Sequence, residues 1–291
     1  MSHLREEAAA PAADAWVIEP ERTGTAARAT ELWRYRRLLW FMAVRGVKER
    51  YEGTTLGIVW LFLPPLFPIL IGGFVFGGLL GLPSDGVPYT LFFMTGFIPW
   101  SLFQRSILFG TRCLDNHRSL IKRLYFPRLI SPIASLSMAA TYFVIYMVLL
   151  VLVVLFYFFK DGVLYLKIGP SLLVALGMSL FAMFCALSVV LFTSVVQARH
   201  KETRFGLRYF LQFWMYLTPV FYPISAVPPE HRWLIFVNPM APVVATFRWG
   251  ILGVGEVPLL PLVTSFVVAA VAMTAGIWFF SANESTTVDQ L

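Results

Sequence analysis

The sequence predicts an all-α integral membrane protein with six transmembrane helices, and three observations carry that prediction. Of 291 residues, 58% are apolar and only 13% charged, whereas an ordinary soluble domain carries about 25% charged residues. The apolar residues form charge-free runs at 56–80, 87–104, 129–159, 168–198, 209–227 and 257–282. Each is long enough to cross a hydrocarbon core of about 30 Å as a helix. Lysine and arginine alternate in density between the runs: nine fall in 1–53, six in 105–128 and four in 199–208, leaving only Lys160, Lys167, Arg232 and Arg248 elsewhere. An even number of spans puts both termini on the side rich in positive charge, which is the cytoplasmic side. Membrane topology thus accounts for the net charge of +7 without nucleic acid as a partner, and a soluble globular enzyme is excluded.

Taken in chain order, residues 1–30 read as a flexible cytoplasmic tail. They are rich in Ala, Pro, Glu and Arg and contain no apolar stretch of signal-peptide length. Residues 31–53 read as an amphipathic interface helix. A helical projection gathers Arg34, Arg37, Arg45, Lys48 and Glu52 on one face and Leu32, Tyr35, Leu39, Met42, Ala43 and Val47 on the other. Such a helix lies along membrane lipid, with Trp33, Tyr35 and Trp40 suited to the headgroup layer; a lipid anchor and a meeting surface for a cytosolic partner are both open readings. Residues 54–283 form the transmembrane domain and 284–291 a second cytoplasmic tail. Gly73, Gly77 and Gly81 make a small-residue stripe in the first span, usable between subunits or within one.

Between the second and third spans, 115–128 predicts a short helix. Asp115 or Asn116 can cap it, Leu120, Ile121, Leu124 and Tyr125 share an apolar face, and Pro127 stops it. The result would be a rigid knob facing the cytoplasm. The third run, 129–159, exceeds a perpendicular span, which calls for tilt or extension beyond the bilayer. From Thr218 to Pro258 the chain carries Pro219, Pro223, Pro228, Pro229, Pro239, Pro242 and Pro258, with Pro261 just beyond. Prolines break helices and bare backbone is not tolerated in lipid, so this region reads as re-entrant helices at the outer mouth, with Glu230, His231 and Arg232 at the turn in water; a seventh span is the alternative.

Several chemistries are excluded. The apolar runs hold no Asp, Glu, Lys or His, whereas ion-coupled transporters place such groups at the midplane. No paired carboxylates or Asp-rich metal motif would serve a membrane glycosyltransferase. Cys113 and Cys185 read as unpaired and fit no metal spacing. None of the five lysines stands in a G-x-x-x-x-G-K-[ST] setting, so no ATPase site is expected here, and any energy must come from another subunit.

Three ordered blocks then carry a specific resemblance. ELWRYRRLLWFMAVRGVKERYEGTTLGIVWLFLPPL at 31–66 resembles the N-terminal block of the type-2 ABC exporter permeases that move O-antigen, capsule, teichoic acid and related polymers. NHRSLIKRLYFPRLISPI at 116–133 is similar to their coupling helix, and RYFLQFWMYLTPVFYPISAVPPEHRWLIFVNPMAPVV at 208–244 to their fifth span and outer re-entrant helices. The likeness covers nearly everything after residue 15. Gly46 departs from it, standing where an acidic residue often follows the arginine, and so does Pro64-Pro65, in place of a Gln-Pro pattern. The resemblance implies that Arg118, Leu120, Ile121, Lys122, Arg123, Tyr125 and Phe126 dock an ATP-binding cassette ATPase, flanked by Arg34, Arg37, Arg45 and Lys48. It also implies a homodimer of this chain with two ATPases that bind the ATP and Mg, no cofactor in the chain itself, and a place in the bacterial inner membrane.

A path for a sugar polymer needs flat apolar faces and hydroxyls without charges that would hold the polymer still. Phe97, Trp100, Phe103, Tyr142, Trp214 and Tyr216 are the candidates, Trp100 and Tyr216 foremost. The expected function is therefore the membrane subunit of an ABC exporter for an O-antigen-like polysaccharide or lipid-linked glycan. A drug or lipid exporter on the same scaffold, and a non-transporting membrane scaffold for a cytosolic partner, are the alternatives.

Overall fold

The structure is a computed structural model and describes residues 33–51, 59–123 and 126–283. The described residues are helical with short connections: α1 (Arg36–Tyr51), α2 (Val59–Ile71) running on as a π-helical segment (Gly72–Leu79), α3 (Tyr89–Thr111), α4 (Cys113–Asn116) and α5 (Arg118–Arg123) lead to α6 (Ile130–Asp161) and α7 (Ser171–Arg199). Then come α8 (Thr203–Leu217), two single 3₁₀ turns, α9 (Arg232–Phe236), α10 (Met240–Leu252) and α11 (Leu259–Ala282). The tails 1–30 and 284–291 lie outside the described residues.

Four helices are long and apolar enough to cross a membrane: Phe62–Leu79, Ile130–Asp161, Ser171–Arg199 and Leu259–Ala282. A fifth arises if Pro229–Phe236 and Met240–Leu252, bent by 104° against each other, count as one. The two expected spans missing from this set fail for different reasons. α3 has 23 residues, enough for about 35 Å of rise, but its polar Thr95, Ser101, Gln104, Arg105 and Ser106 lower its hydropathy. It can carry them because it is the central helix, with Leu91, Phe92, Met94, Ile98 and Trp100 enclosed by its neighbours. α8 ends after 15 residues, where Thr218 turns to extended backbone ahead of Pro219, as expected for a residue before proline.

α6, α7 and α10 pack around α3, while α11 lies against the outer side of α7. Two of the three stripe glycines pack within the chain, since a Cβ at Gly73 would meet Thr90 Oγ1 at 2.5 Å and one at Gly77 would meet Tyr89 Cβ at 2.7 Å, whereas Gly81 has open space around it. α2 and its π segment, though interrupted by Pro64, Pro65 and Pro68, are thereby held against α3. The 32 residues of α6 rise about 48 Å, the extension that its long apolar run calls for. Gly162 ends it in the left-handed conformation at φ 71°, as C-terminal glycines do.

Candidate functional site

On the side expected to face the cytoplasm, α1 buries one face and exposes another. Met42 and Ala43 are buried, and Tyr35, Leu38 and Leu39 pack with them on Phe126, Ile130 and Ala134. Ser137 Oγ on α6 donates to the Ala43 carbonyl at 3.3 Å. Arg34, Arg37, Arg45 and Lys48 are exposed, as are Trp33, Trp40 and Phe41. Leu32 and Glu52 lie outside the described residues, as does the side chain of Val47.

The knob forms, with altered capping. α5 starts at Arg118, and it is the His117 carbonyl that accepts from Leu120 N–H at 3.0 Å and Ile121 N–H at 2.9 Å. Asp115, expected as a cap, instead forms an ion pair with Lys201 at 2.5 Å and accepts from Gln197 Nε2 at 3.3 Å. A salt bridge and an amide on two neighbouring elements outcompete the local N–H groups for its two oxygens. His117 Nδ1 meets Ser131 Oγ at 2.6 Å, and that hydroxyl donates to the Cys113 carbonyl at 3.0 Å. Leu120 and Ile121 bridge α5 to the α1–α6 cluster, and Ile121 also reaches the one around Leu114, Leu191 and Phe280. Arg118 is exposed and Phe126 buried; Leu124 and Tyr125 lie outside the described residues, as do the side chains of Lys122 and Arg123. Burial pushes the Cys113 thiol up to about 12, so this free cysteine is a packing residue.

The six candidate path aromatics separate into two groups. Phe97, Trp100, Phe103 and Tyr142 are enclosed within the protomer, Trp100 completely, because α3 is surrounded on its long sides. Trp100 and Phe103 rings stand 5.5 Å apart, Phe97 and Tyr146 meet edge to face at 5.5 Å, and the Arg105 guanidinium sits 4.0 Å from the Tyr142 ring centre. Trp214 is half-buried against Phe210 at 5.0 Å, and Tyr216 is 53% exposed. Only Leu211 of α8 is fully buried, so Phe205, Tyr209, Phe210, Phe213 and Tyr216 form an aromatic surface open on the protomer.

At the opposite end the proline-rich region folds back on itself. Glu230 and His231 are exposed and Arg232 is half-buried, its Nε donating to the Val227 carbonyl at 3.0 Å. Trp233 is exposed, whereas α10 sinks almost entirely between α3 and α7. Arg248, one of the four basic residues outside the three basic segments, is enclosed at 4% exposure. Its Nη2 donates to the Pro219 carbonyl at 2.8 Å, and the guanidinium lies 3.7 Å from the Phe92 ring centre. The two interactions offset part of the desolvation of a buried cation. Asn238 Nδ2 donates to Thr218 Oγ1 at 2.7 Å, and Asn238 Oδ1 accepts from Met240 N–H at 2.9 Å. Arg248 and Asn238 therefore tie α10 to the outer end of α8. The one sequence signal for this role is a lone arginine beside Trp249 in an otherwise apolar helix.

An apolar helical body with a polar-locked knob at one end and a folded-back proline-rich segment at the other is the layout of a membrane transport subunit. The ABC-2 type transporter family model matches residues 37–252, and the chain belongs to that family. Its membrane subunits carry no ATPase of their own. Two O-antigen export system permease proteins, RfbA, of Klebsiella pneumoniae are similar to it: one is 25% identical over 240 residues, covering 81% of this chain and 89% of the relative, the other 26% over 211 residues, covering 72% and 78%. The RfbA of Myxococcus xanthus is 24% identical over 222 residues, covering 75% and 81%.

Proposed function

We propose that this chain is the membrane subunit of an ATP-driven exporter that moves an O-antigen-like polysaccharide or lipid-linked glycan out across the bacterial inner membrane. The family membership and three relatives named for O-antigen export support the transport reading and the substrate class. The observation that carries the coupling is the α4–α5 knob, fixed to α6 and α7 by Ser131, Gln197 and Lys201. A lever that receives force must be attached more firmly to the body it moves than a solvated loop is. Arg118, Leu120, Ile121, Lys122, Arg123, Tyr125 and Phe126 dock a separate ATP-binding cassette ATPase, and Arg34, Arg37, Arg45 and Lys48 flank the dock. That ATPase holds the ATP and Mg.

Two copies of this chain pair with two ATPases, and both termini lie in the cytoplasm. α3 and α8 complete six spans, α3 sheltered by its neighbours and α8 continued by the Thr218–Phe221 turn. Trp214 and Tyr216 line the path, while Phe97, Trp100, Phe103 and Tyr142 form the packed wall behind them. Exposed aromatic faces and hydroxyls hold sugar rings weakly, as passage requires. Glu230, His231 and Arg232 form the outer gate's wet rim. ATP-driven closure displaces the knobs, and the differential contacts of the two ATPase states supply the conformational bias.

Deletion of the gene tests the reading. Surface polysaccharide should vanish, and the corresponding glycan should accumulate inside the cell, with an ATP-binding cassette subunit co-purifying with the tagged wild-type chain. Undiminished surface polysaccharide with loss of a drug or lipid efflux activity would transfer the reading to that substrate.

A further inference from the structure

The inner end of α8 is capped from outside itself. A helix start leaves backbone N–H groups without intrahelical partners, and the residue preceding α8, Glu202, makes no side-chain cap. The Arg204 N–H instead donates at 3.0 Å to Oε1 of Gln197, which belongs to the last turns of α7. On its other side, Gln197 Nε2 donates to Asp115 Oδ2 at 3.3 Å and to the Lys201 carbonyl at 3.5 Å. With a backbone donor on one side and a carboxylate on the other, the amide orientation is determined. Gln197 is 1% exposed. The neighbouring Asp115–Lys201 pair has side-chain exposures of 23% and 60%, so solvent weakens it, and the enclosed amide is the stronger connection.

At the far end of α8, Thr218 and Pro219 are gripped by Asn238 and Arg248, and between the two ends only Leu211 is fully buried. α8 is thus fixed at its ends and little constrained by packing within the protomer. We infer that Gln197 is a positioning residue that carries displacement of the α4–α5 knob, through Asp115, to the inner end of α8 and so to the helix bearing Trp214 and Tyr216. The inference rests on the reading of the knob as the ATPase dock. It assigns to the chain a specific connection from that dock to the transport path, made of one carboxylate, one amide and one helix-terminal N–H.

Gln197→Glu tests it, because a carboxylate at 197 can still accept from Arg204 N–H but meets Asp115 as a like charge where the amide donated to it. The variant should insert and bind the ATPase but melt below the wild type, because two carboxylates then share an enclosed site. Phosphate release by the purified complex should stay within about twofold of wild type, while surface polysaccharide in a strain carrying the variant falls about tenfold or more. Asp115→Asn combined with Gln197→Glu restores the bond with its polarity reversed and should return export to within about twofold of wild type. Unchanged export in Gln197→Glu, a fall in hydrolysis parallel to the fall in export, loss of ATPase binding, or failure of the double variant to recover both export and melting temperature would each overturn the relay. Failure of the docking reading looks different: the complex would then survive charge reversal at Arg118, Lys122 and Arg123.

Discussion

Gly96 and Arg248 occupy one another's space. A Cβ on Gly96 would stand 2.5 Å from Arg248 Nη2 and 3.0 Å from the Val220 backbone. The arginine cannot withdraw without releasing the Pro219 carbonyl and the Phe92 face. Gly96→Ala should therefore destabilise by about 1–3 kcal/mol, the usual cost of overpacking a filled interior, and lower the melting temperature of the purified protein. Arg248→Lys keeps the charge but not the planar contact with Phe92, so it should also lower that temperature. Cys113 behaves in the opposite sense. Its thiol is buried and its pKa raised to about 12 by desolvation, so the reactive thiolate is essentially absent near neutral pH. N-ethylmaleimide should leave Cys113 unmodified in the folded protein and label it after denaturation.

Among the elements, α1 and α5 bury apolar residues against α6 while Arg34, Arg37 and Arg118 stay exposed. Arg118 is exposed on a helix whose Leu120 and Ile121 already pack on α1 and α6. An exposed charge such as Arg118 contributes little to stability, and replacing Arg118, Lys122 and Arg123 together with Glu is expected to change membrane insertion and melting very little. The same variant should lose export and release the ATPase in pull-down assays, and normal export from it would remove the docking role. Legibility at this scale was uneven. The α1 faces could be read from residue spacing alone, because one side of a helix against one flat surface is a local pattern. The end of α5 that would be capped by Asp115 could not, since the partner that takes Asp115 is Lys201, 86 residues further on.

The whole molecule has one end rich in arginine and lysine and one end folded from prolines, and in the proposed six-span topology these are the inner and outer ends. In a background lacking Cys113 and Cys185, Ser2→Cys and Gln290→Cys should both resist a membrane-impermeant thiol reagent in intact cells. His231→Cys should react with it, because His231 is exposed where the 3₁₀ turn runs into α9. Labelling of one terminus alone would change the parity of the spans. Reaction of His231→Cys only in broken cells would turn the bent pair, with its 104° angle, into a true crossing.

What the sequence determined by itself follows from solvent. Lipid demands long charge-free runs and satisfied backbone, so the helical class, the four strongest spans, the overlong α6 and the bent proline-rich pair were legible in composition and spacing. The family likeness was legible for a different reason, since ordered blocks of side chains keep more information than hydropathy does. The tertiary structure alone decided what each buried polar group meets. α3 packs at the centre of the bundle, so Trp100 is enclosed, while α8 lies at its side and leaves Tyr216 exposed. Arg248 reads as a lone arginine in an apolar helix but is clamped on Pro219, and Gln197 reads as the end of an apolar run but joins Asp115 to Arg204. The Asp115–Gln197 and Pro219–Arg248 pairings link residues far apart in the chain, and a low-dielectric interior strengthens them, because each buried donor or cation left without a partner costs stability.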